Sequence, residues 1–297
     1  MRVLILGAGR VGTNLARLFA ASAHDVALWN AWPLEDAVAA ALADSPGVTV
    51  LSGRPLSLAD GGPGAGFDLA LVAVSDEAVP AVSRELDAAG LPASVPVLHC
   101  SGTLPAKSVR TGTHAAGRLH PAFAFPSPGL PLPVLSRICF LLEGDDAATA
   151  RATRLLETCG LRFVAASPDP VLYHAACVMA ANFSALLGLA AGRLMESAGI
   201  GEEEGRALLG SLMGGVLDHA CREGFAASVS GPVVREDLET LLSEARAVGR
   251  EAPELFSLFL EGNLTLARIL GRNQLADDLT RRVEGDPNPP STTSRGR

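Results

Sequence analysis

The first twenty-one residues restrict the fold more than any other part of the chain. Arg2 to Leu6 is a short apolar run, Gly7-Ala8-Gly9-Arg10-Val11-Gly12 follows without a gap, and Val11, Leu15, Leu18 and Phe19 then recur at helical spacing. Strand, glycine turn and helix in this order form the context in which GxGxxG has a physical meaning. The first glycine permits the tight turn, the second lets a pyrophosphate approach the backbone, and the third lets helix and strand pack. The helix N-terminus attracts the anion. Gly7, Gly9, Arg10, Val11 and Gly12 are therefore the expected dinucleotide cradle, with an ordinary tight turn as the bland alternative.

Further short apolar runs follow at Val26 to Trp29, Val48 to Leu51, Leu69 to Val74 and Val95 to Leu98, separated by helical patterns such as Glu77 to Ala89. This alternation implies a parallel sheet with helices on both faces. Arg118 to His120, Ile138 to Leu142 and Leu161 to Val164 read as additional strands, with Asp145 or Asp146 placed to cap the helix running to Thr158. Strand signals then stop. Asp169-Pro170 reads as an N-cap with proline at the first helical position, and Glu202 to Arg222, Glu236 to Val248 and Pro253 to Leu270 are helical by periodicity. The expected architecture is an α/β chain: a nucleotide-binding domain of Rossmann type over residues 1–167, an all-α domain over 168–284 and a disordered polar tail over 285–297.

Composition removes several function classes. Lys and Arg total 24 against 32 Asp and Glu, a net charge of −8 without a basic run, so nucleic acid and anionic membranes are poor partners. The 5 cysteines are scattered and form no CxxC or zinc spacing, which fits reduced thiols in a cytoplasm and no metal site. Val3 to Leu6 is too short an apolar run for an export signal. Val171 to Gly192 is apolar and long enough to span a bilayer, yet His174, Asn182 and Ser184 would be costly in lipid, so a helix buried by protein is expected. The Gly-rich stretch Asp60 to Gly66 precedes a strand and contains Pro63, so it reads as a loop.

The second strand ends Leu28-Trp29-Asn30, where an acid would bind the ribose of NAD; the next acid is Glu35. Asn30 does not repel a phosphate and Arg10 adds positive charge, which favours NADP while leaving NAD open. Val74 and Ser75 stand where the cofactor would lie along the strand ends. At the end of the fifth strand, His99-Cys100-Ser101-Gly102-Thr103 can hold a substrate or simply cap a turn. His120 repeats both alternatives. In the long helix positions 174, 178 and 182 recur every four residues, which keeps His174 and Asn182 roughly on one face, and a histidine there can donate a proton to a developing alkoxide or serve as a core residue. Arg235 can clamp a carboxylate or pair with Asp237.

Taken together, GAGRVG at the start, HCSG at 99–102, LHPAFAF at 119–125, YHAACVMAANF at 173–183 and GPVVRED at 231–237 resemble a Rossmann-like family of largely uncharacterised reductases. That family is related to pyrroline-5-carboxylate reductase, ketopantoate reductase and the 3-hydroxyacid dehydrogenases. The resemblance implies an NAD(P)-binding domain, a helical domain like that of 6-phosphogluconate dehydrogenase, and a homodimer with active sites at the domain cleft. It makes Ser101 and Gly102 a substrate loop and places His174 in the helix where relatives use lysine, whereas Lys107, the chain's only lysine, lies elsewhere. Its last motif usually carries glycine where this chain has Glu236, an acid expected to neutralise Arg235.

The functional expectation is an NAD(P)H-dependent oxidoreductase acting on the C=O or C=N of a small carboxylate-bearing substrate, a 2-oxo acid of ketopantoate type or a cyclic imine. His174 would donate the proton, Asn182 and Ser101 would position the acceptor, and His120 and Arg235 would bind the carboxylate. The alternative is a sensor or scaffold that binds NADP(H) without turnover.

Overall fold

The computed structural model describes residues 1–53, 56, 58 and 66–285. The expected loop Asp60 to Gly66, Gly66 apart, and the expected tail beyond Gly285 lie outside the described residues. The chain divides into two compact units, Met1–Ala181 and Asn182–Arg297.

The described residues of the first unit form eight strands: β1 (Arg2–Leu6), β2 (Asp25–Asn30), β3 (Val48–Ser52), β4 (Leu69–Val72), β5 (Val97–His99), β6 (Ala116–Ala122), β7 (Cys139–Gly144) and β8 (Arg162–Ala165). They form one sheet in the order β3-β2-β1-β4-β5-β6-β7-β8. Every pairing is parallel except β6 with β7, so the last two strands reverse the direction expected for a wholly parallel sheet. Among the described residues six α-helices accompany them: α1 (Arg10–Ala21), α2 (Asp36–Ala43), α3 (Val79–Ala88), α4 (Leu132–Leu135), α5 (Asp146–Thr158) and α6 (Pro170–Val178).

Strand periodicity explains the two cores. In β1, Val3 and Ile5 join a cluster with Leu15 and Phe19 of α1 and Leu155 of α5, whereas Leu4 and Leu6 join the opposite cluster with Val82 and Leu86 of α3. Successive side chains point to opposite faces, so a strand buried on both sides needs an unbroken apolar run. Burial of one such leucine contributes roughly 2 kcal/mol.

Two capping expectations separate here. Asp169 does cap α6, accepting from the Leu172 amide at 2.8 Å. Asp145 precedes α5 but does not cap it: its carboxylate accepts from the Ala116 amide at 2.8 Å and from Arg110 at 2.7 Å through both oxygens. These bonds hold its pKa below the ordinary carboxylate value, the Ala116 amide first.

The division between units falls at Ala181, later than the expected 167. The reason is packing: α6 sends Tyr173 against His120 and Arg118 of β6, so this helix belongs to the sheet unit. A five-residue π-helical turn, Met179–Phe183, follows α6. It breaks the count of four residues per step on which a common face for His174 and Asn182 depended.

The second unit contains α7 (Ser184–Ser197), α8 (Glu202–Glu223), α9 (Pro232–Arg235), α10 (Leu238–Glu251), α11 (Phe256–Ile269) and α12 (Asn273–Glu284). Its core gathers Val233, Leu241, Leu264, Leu275 and Leu279 from the last four helices. The expectation that protein buries the apolar helix is not met among the described residues. Leu186, Leu187 and Leu189 of α7 are exposed, as are Leu208, Leu212, Val216 and Leu217 of α8. Pro170–Ser197 has mean hydropathy 1.7 in its most apolar window, of which 0% is buried.

Candidate active site

The glycine turn is held by packing at two positions and left open at one. Gly7 has φ +110°, and a Cβ there would lie 2.7 Å from the Ala73 carbonyl oxygen and 2.8 Å from Val74 Cγ1. At Gly12 a Cβ would lie 1.9 Å from the Gly7 carbonyl oxygen. Both glycines are therefore required by the chain itself. Gly9 is different: it has φ −80°, which any residue adopts, and a Cβ there would meet nothing within 4 Å. It forms the N-cap of α1 without a side-chain cap, which leaves the amides of the first helical turn available to an anion. Val11 packs against the sheet core behind the turn.

Asn30 serves this turn directly. Its Oδ1 accepts from the Ala8 amide at 3.2 Å and its Nδ2 donates to the Trp32 carbonyl at 2.8 Å. Arg10, Asn30, Trp32, Glu35 and Pro128 line one cavity of about 500 Å3 beside Gly9. Two residues absent from the sequence reading brace the backbone around it. Asn14, fully buried, donates to the carbonyls of Arg10 at 2.8 Å and Ser127 at 2.7 Å, and Arg17 donates to Leu130 at 2.7 Å. They tie the Pro-rich segment around Pro128 to α1. The donor set fits a dinucleotide: free helical amides, an open glycine and Arg10 at the rim.

Beside this turn along the same sheet edge stand the ends of β4, β5 and β6. Ser75 precedes the short turn Asp76–Ala78, and the Asp76 carboxylate accepts a hydrogen bond from the Thr103 hydroxyl, which ties the loop after β4 to the loop after β5. Ser101 accepts at its hydroxyl from the amides of Thr103 at 3.1 Å and Leu104 at 3.0 Å, so it shapes this loop from within. His99 is fully buried. Its Nδ1 accepts from the Ser101 amide at 3.2 Å and its Nε2 donates to the Pro105 carbonyl at 3.0 Å, which commits both nitrogens to the loop. Burial also pushes the Cys100 thiol well above its ordinary pKa, which favours the neutral thiol over the thiolate.

Gly102 is where the polar side chains meet. A Cβ there would lie 2.9 Å from His120 Nε2 and 2.9 Å from His174 Cδ2, so both rings pack onto this glycine. His120 Nδ1 lies 2.7 Å from the Tyr173 hydroxyl, the ring planes meeting at 88°. Burial, then the Arg118 charge and the neighbouring His174, lower the His120 pKa to about 4. Burial likewise raises that of Tyr173. Both groups are neutral at ordinary pH.

Beneath them Arg118 is wholly buried, an unusual residue for mid-strand. It faces Glu143 across the antiparallel β6–β7 pair, Nη2 to Oε2 at 2.6 Å. The contact joins charges without hydrogen-bond alignment, since Nε and Nη2 of Arg118 and Oε2 of Glu143 make no aligned bond among the described residues. Nη1 reaches the Gly102 carbonyl at 3.4 Å, and the guanidinium lies 5.6 Å from the Tyr173 ring centroid.

The structure thus brings Gly102, His120 and His174 together and adds Tyr173 and Arg118. Asn182 and Arg235 belong to the second unit, in the π-helical turn and at the end of α9. Asp237 caps α10 through Thr240, at 3.1 Å from the amide and 2.8 Å from the hydroxyl, instead of pairing with Arg235. Glu236 also turns away from Arg235, meeting Arg272 at 2.9 Å. Its φ of +55° is left-handed, the conformation for which glycine at this position is suited. Among the described residues no cluster of metal-ligating side chains occurs.

Residues 138–261 match a domain of unknown function, DUF2520. No curated protein matches the chain by sequence. Protein TM1727 from Thermotoga maritima shares the fold at 23% identity and TM-score 0.66, over 92% of this chain and 99% of that one. Plasmodium falciparum pyrroline carboxylate reductase, solved with NADP bound, is similar at 10% identity and TM-score 0.58 over 91% of this chain and 100% of its own. The imine reductase of Streptomyces aurantiacus is similar at 16% identity and TM-score 0.57 over 94% and 99%. The two-part fold expected from the sequence, strand-rich and then helical, is the fold these proteins share.

Proposed function

We propose that the chain is an NAD(P)H-dependent oxidoreductase reducing the C=N or C=O group of a small compound, with NADP the favoured cofactor. The observation that carries this reading is the convergence of His120 and His174 on Gly102, on the sheet edge that also bears the open Gly9 turn. Likeness in fold to an imine reductase and to a pyrroline carboxylate reductase with NADP bound supports a cyclic imine over a 2-oxo acid. A sensor that binds NADP(H) would need the glycine turn but not two histidine rings stacked on a glycine at the sheet edge.

The division of labour follows from the contacts. The first-turn amides of α1 bind the pyrophosphate, and Gly9 leaves it room. Bound NADPH would supply the hydride. His174, with no hydrogen-bond partner among the described residues, delivers the proton to the product nitrogen or oxygen. Ser101 and Thr103 hold the loop that presents Gly102.

The test is oxidation of NADPH and NADH by the purified protein against cyclic imines and 2-oxo acids, with cofactor dissociation constants measured alongside. Turnover of a cyclic imine with NADPH is expected. Gly9→Ala should weaken cofactor binding by roughly tenfold or more while leaving the melting temperature unchanged, because its methyl group meets no protein atom. Tight cofactor binding without turnover across both acceptor classes would favour the sensor.

We also propose a second copy of the chain as the cover for the exposed apolar face of α7 and α8. An exposed patch of this kind marks an interaction surface. A bilayer suits it poorly, because α8 opens with Glu202, Glu203 and Glu204 and closes with Arg222, while Arg193 of α7 pairs with Glu254 at 3.0 Å. A dimer by light scattering is expected, and Leu212→Glu should shift it towards monomer. A wild-type monomer at micromolar concentration would refute the interface.

A further inference from the structure

The proposed function leaves Tyr173, the chain's only tyrosine, without a task, although it makes the shortest hydrogen bond to either histidine of the site. We propose that Tyr173 is a positioning residue that sets the tautomer of His120. Its hydroxyl donates to Nδ1, so the ring carries its proton on Nε2 and offers that N–H beside Gly102 to an acceptor atom of the substrate. The inference rests on the reductase reading for the identity of that acceptor, an imine or carbonyl compound's oxygen or carboxylate.

Three observations carry it. The donor assignment follows from the chemistry of the groups at the hydroxyl: a phenol O–H is the stronger donor, an imidazole nitrogen is a better acceptor than the Cys177 sulfur that also neighbours the phenol, and the 2.7 Å separation suits that O–H···N bond. The opposite assignment would put the proton on Nδ1 and leave Nε2, beside Gly102, as a bare acceptor. Next, the phenol is itself fixed. It stands at the start of α6, where its amide donates to the Asp169 carbonyl at 3.0 Å, and Asp169 caps the helix. The Arg118 guanidinium, pinned by Glu143, lies against its ring. Finally, Nε2 makes no hydrogen bond among the described residues, although it is the nitrogen nearest the space above Gly102. His99, the other histidine of this loop, has both of its nitrogens engaged.

The groups facing His120 reinforce the neutral donor. Arg118 on β6, His174 on α6 and His99 on β5 all disfavour a second proton on the ring, and only Asp76, engaged by Thr103, opposes them. A ring with one proton is a donor at one nitrogen only, so which nitrogen carries it decides whether His120 can bind the substrate.

The experiment has two arms on the full-length protein. Selective 15N labelling of histidine, with His120→Gln to assign the signal, reads the tautomer without substrate. The wild type is expected to show His120 protonated at Nε2, and Tyr173→Phe to convert it to a mixture. A wild-type ring protonated at Nδ1, or a tautomer that Tyr173→Phe does not change, overturns the proposal. In the kinetic arm Tyr173→Phe should lower kcat/KM about tenfold with cofactor affinity unchanged; an unchanged kcat/KM also overturns it. Wild-type protein that turns over no acceptor counts against the reductase reading, and the tautomer arm then decides the role of Tyr173 alone.

Discussion

Arg118→Leu is expected to destabilise the sheet unit by about 3 kcal/mol, the low end of what it costs to break a buried ion pair and strand the surviving charge. Glu143 keeps a hydroxyl partner in Ser167 at 2.6 Å and is only partly covered, which limits the penalty; Arg118 itself is wholly buried. The pair sits at one rung of the β6–β7 ladder, so the double variant Arg118→Leu, Glu143→Leu places two apolar side chains opposite each other. It should recover at least half of the loss. Urea unfolding of the two variants and the wild type measures both effects. A single variant within about 1 kcal/mol of wild type would show that the charges contribute little to the fold. Activity is expected to remain low in the double variant even where stability returns, because Arg118 also steadies Tyr173 and the Gly102 carbonyl.

That pair marks the limit of what the sequence reveals. The strands were legible because a strand buried on both faces requires a continuous apolar run, and the glycine turn was legible because Gly7 and Gly12 have steric duties that only glycine performs. Arg118 was legible only as the start of a strand. Its partner lies on a different strand, and antiparallel pairing of β6 with β7 is what sets them face to face. The signal was nonetheless present: an arginine in one apolar strand and a glutamate ending another.

The same reasoning separates Asp169 from Asp145. Both precede a helix, but Asp145 finds the Ala116 amide and Arg110, partners that no local rule anticipates. Composition likewise showed that the helix through Gly192 is apolar, but not that its side chains, and those of α8, stay exposed among the described residues. Helix α12 escaped notice because its apolar positions are few among charged ones. Within the candidate site, His120 and His174 were visible as polar residues at a strand end and on a helix. Their meeting over Gly102 depends on how α6 lies on the sheet, which residue spacing does not encode.

Gly102→Ala tests that meeting with the smallest possible change. The added methyl carbon would lie 2.9 Å from an atom of each histidine ring, closer than real contacts allow, so at least one ring must move. The backbone conformation gives no reason for strain, since Gly102 is not among the glycines with positive φ. Displacement of a catalytic or binding group by about 1 Å costs on the order of 100-fold in rate, and that is the expected fall in kcat/KM for the cyclic imine. Cofactor affinity should stay near wild type, because the Gly9 turn is built from other residues. The melting temperature should fall by only a few degrees, as neither ring is fully buried and either can shift to relieve the contact. Full activity in Gly102→Ala would mean that the two rings do not act where they meet, and the roles given to His120 and His174 would fall together.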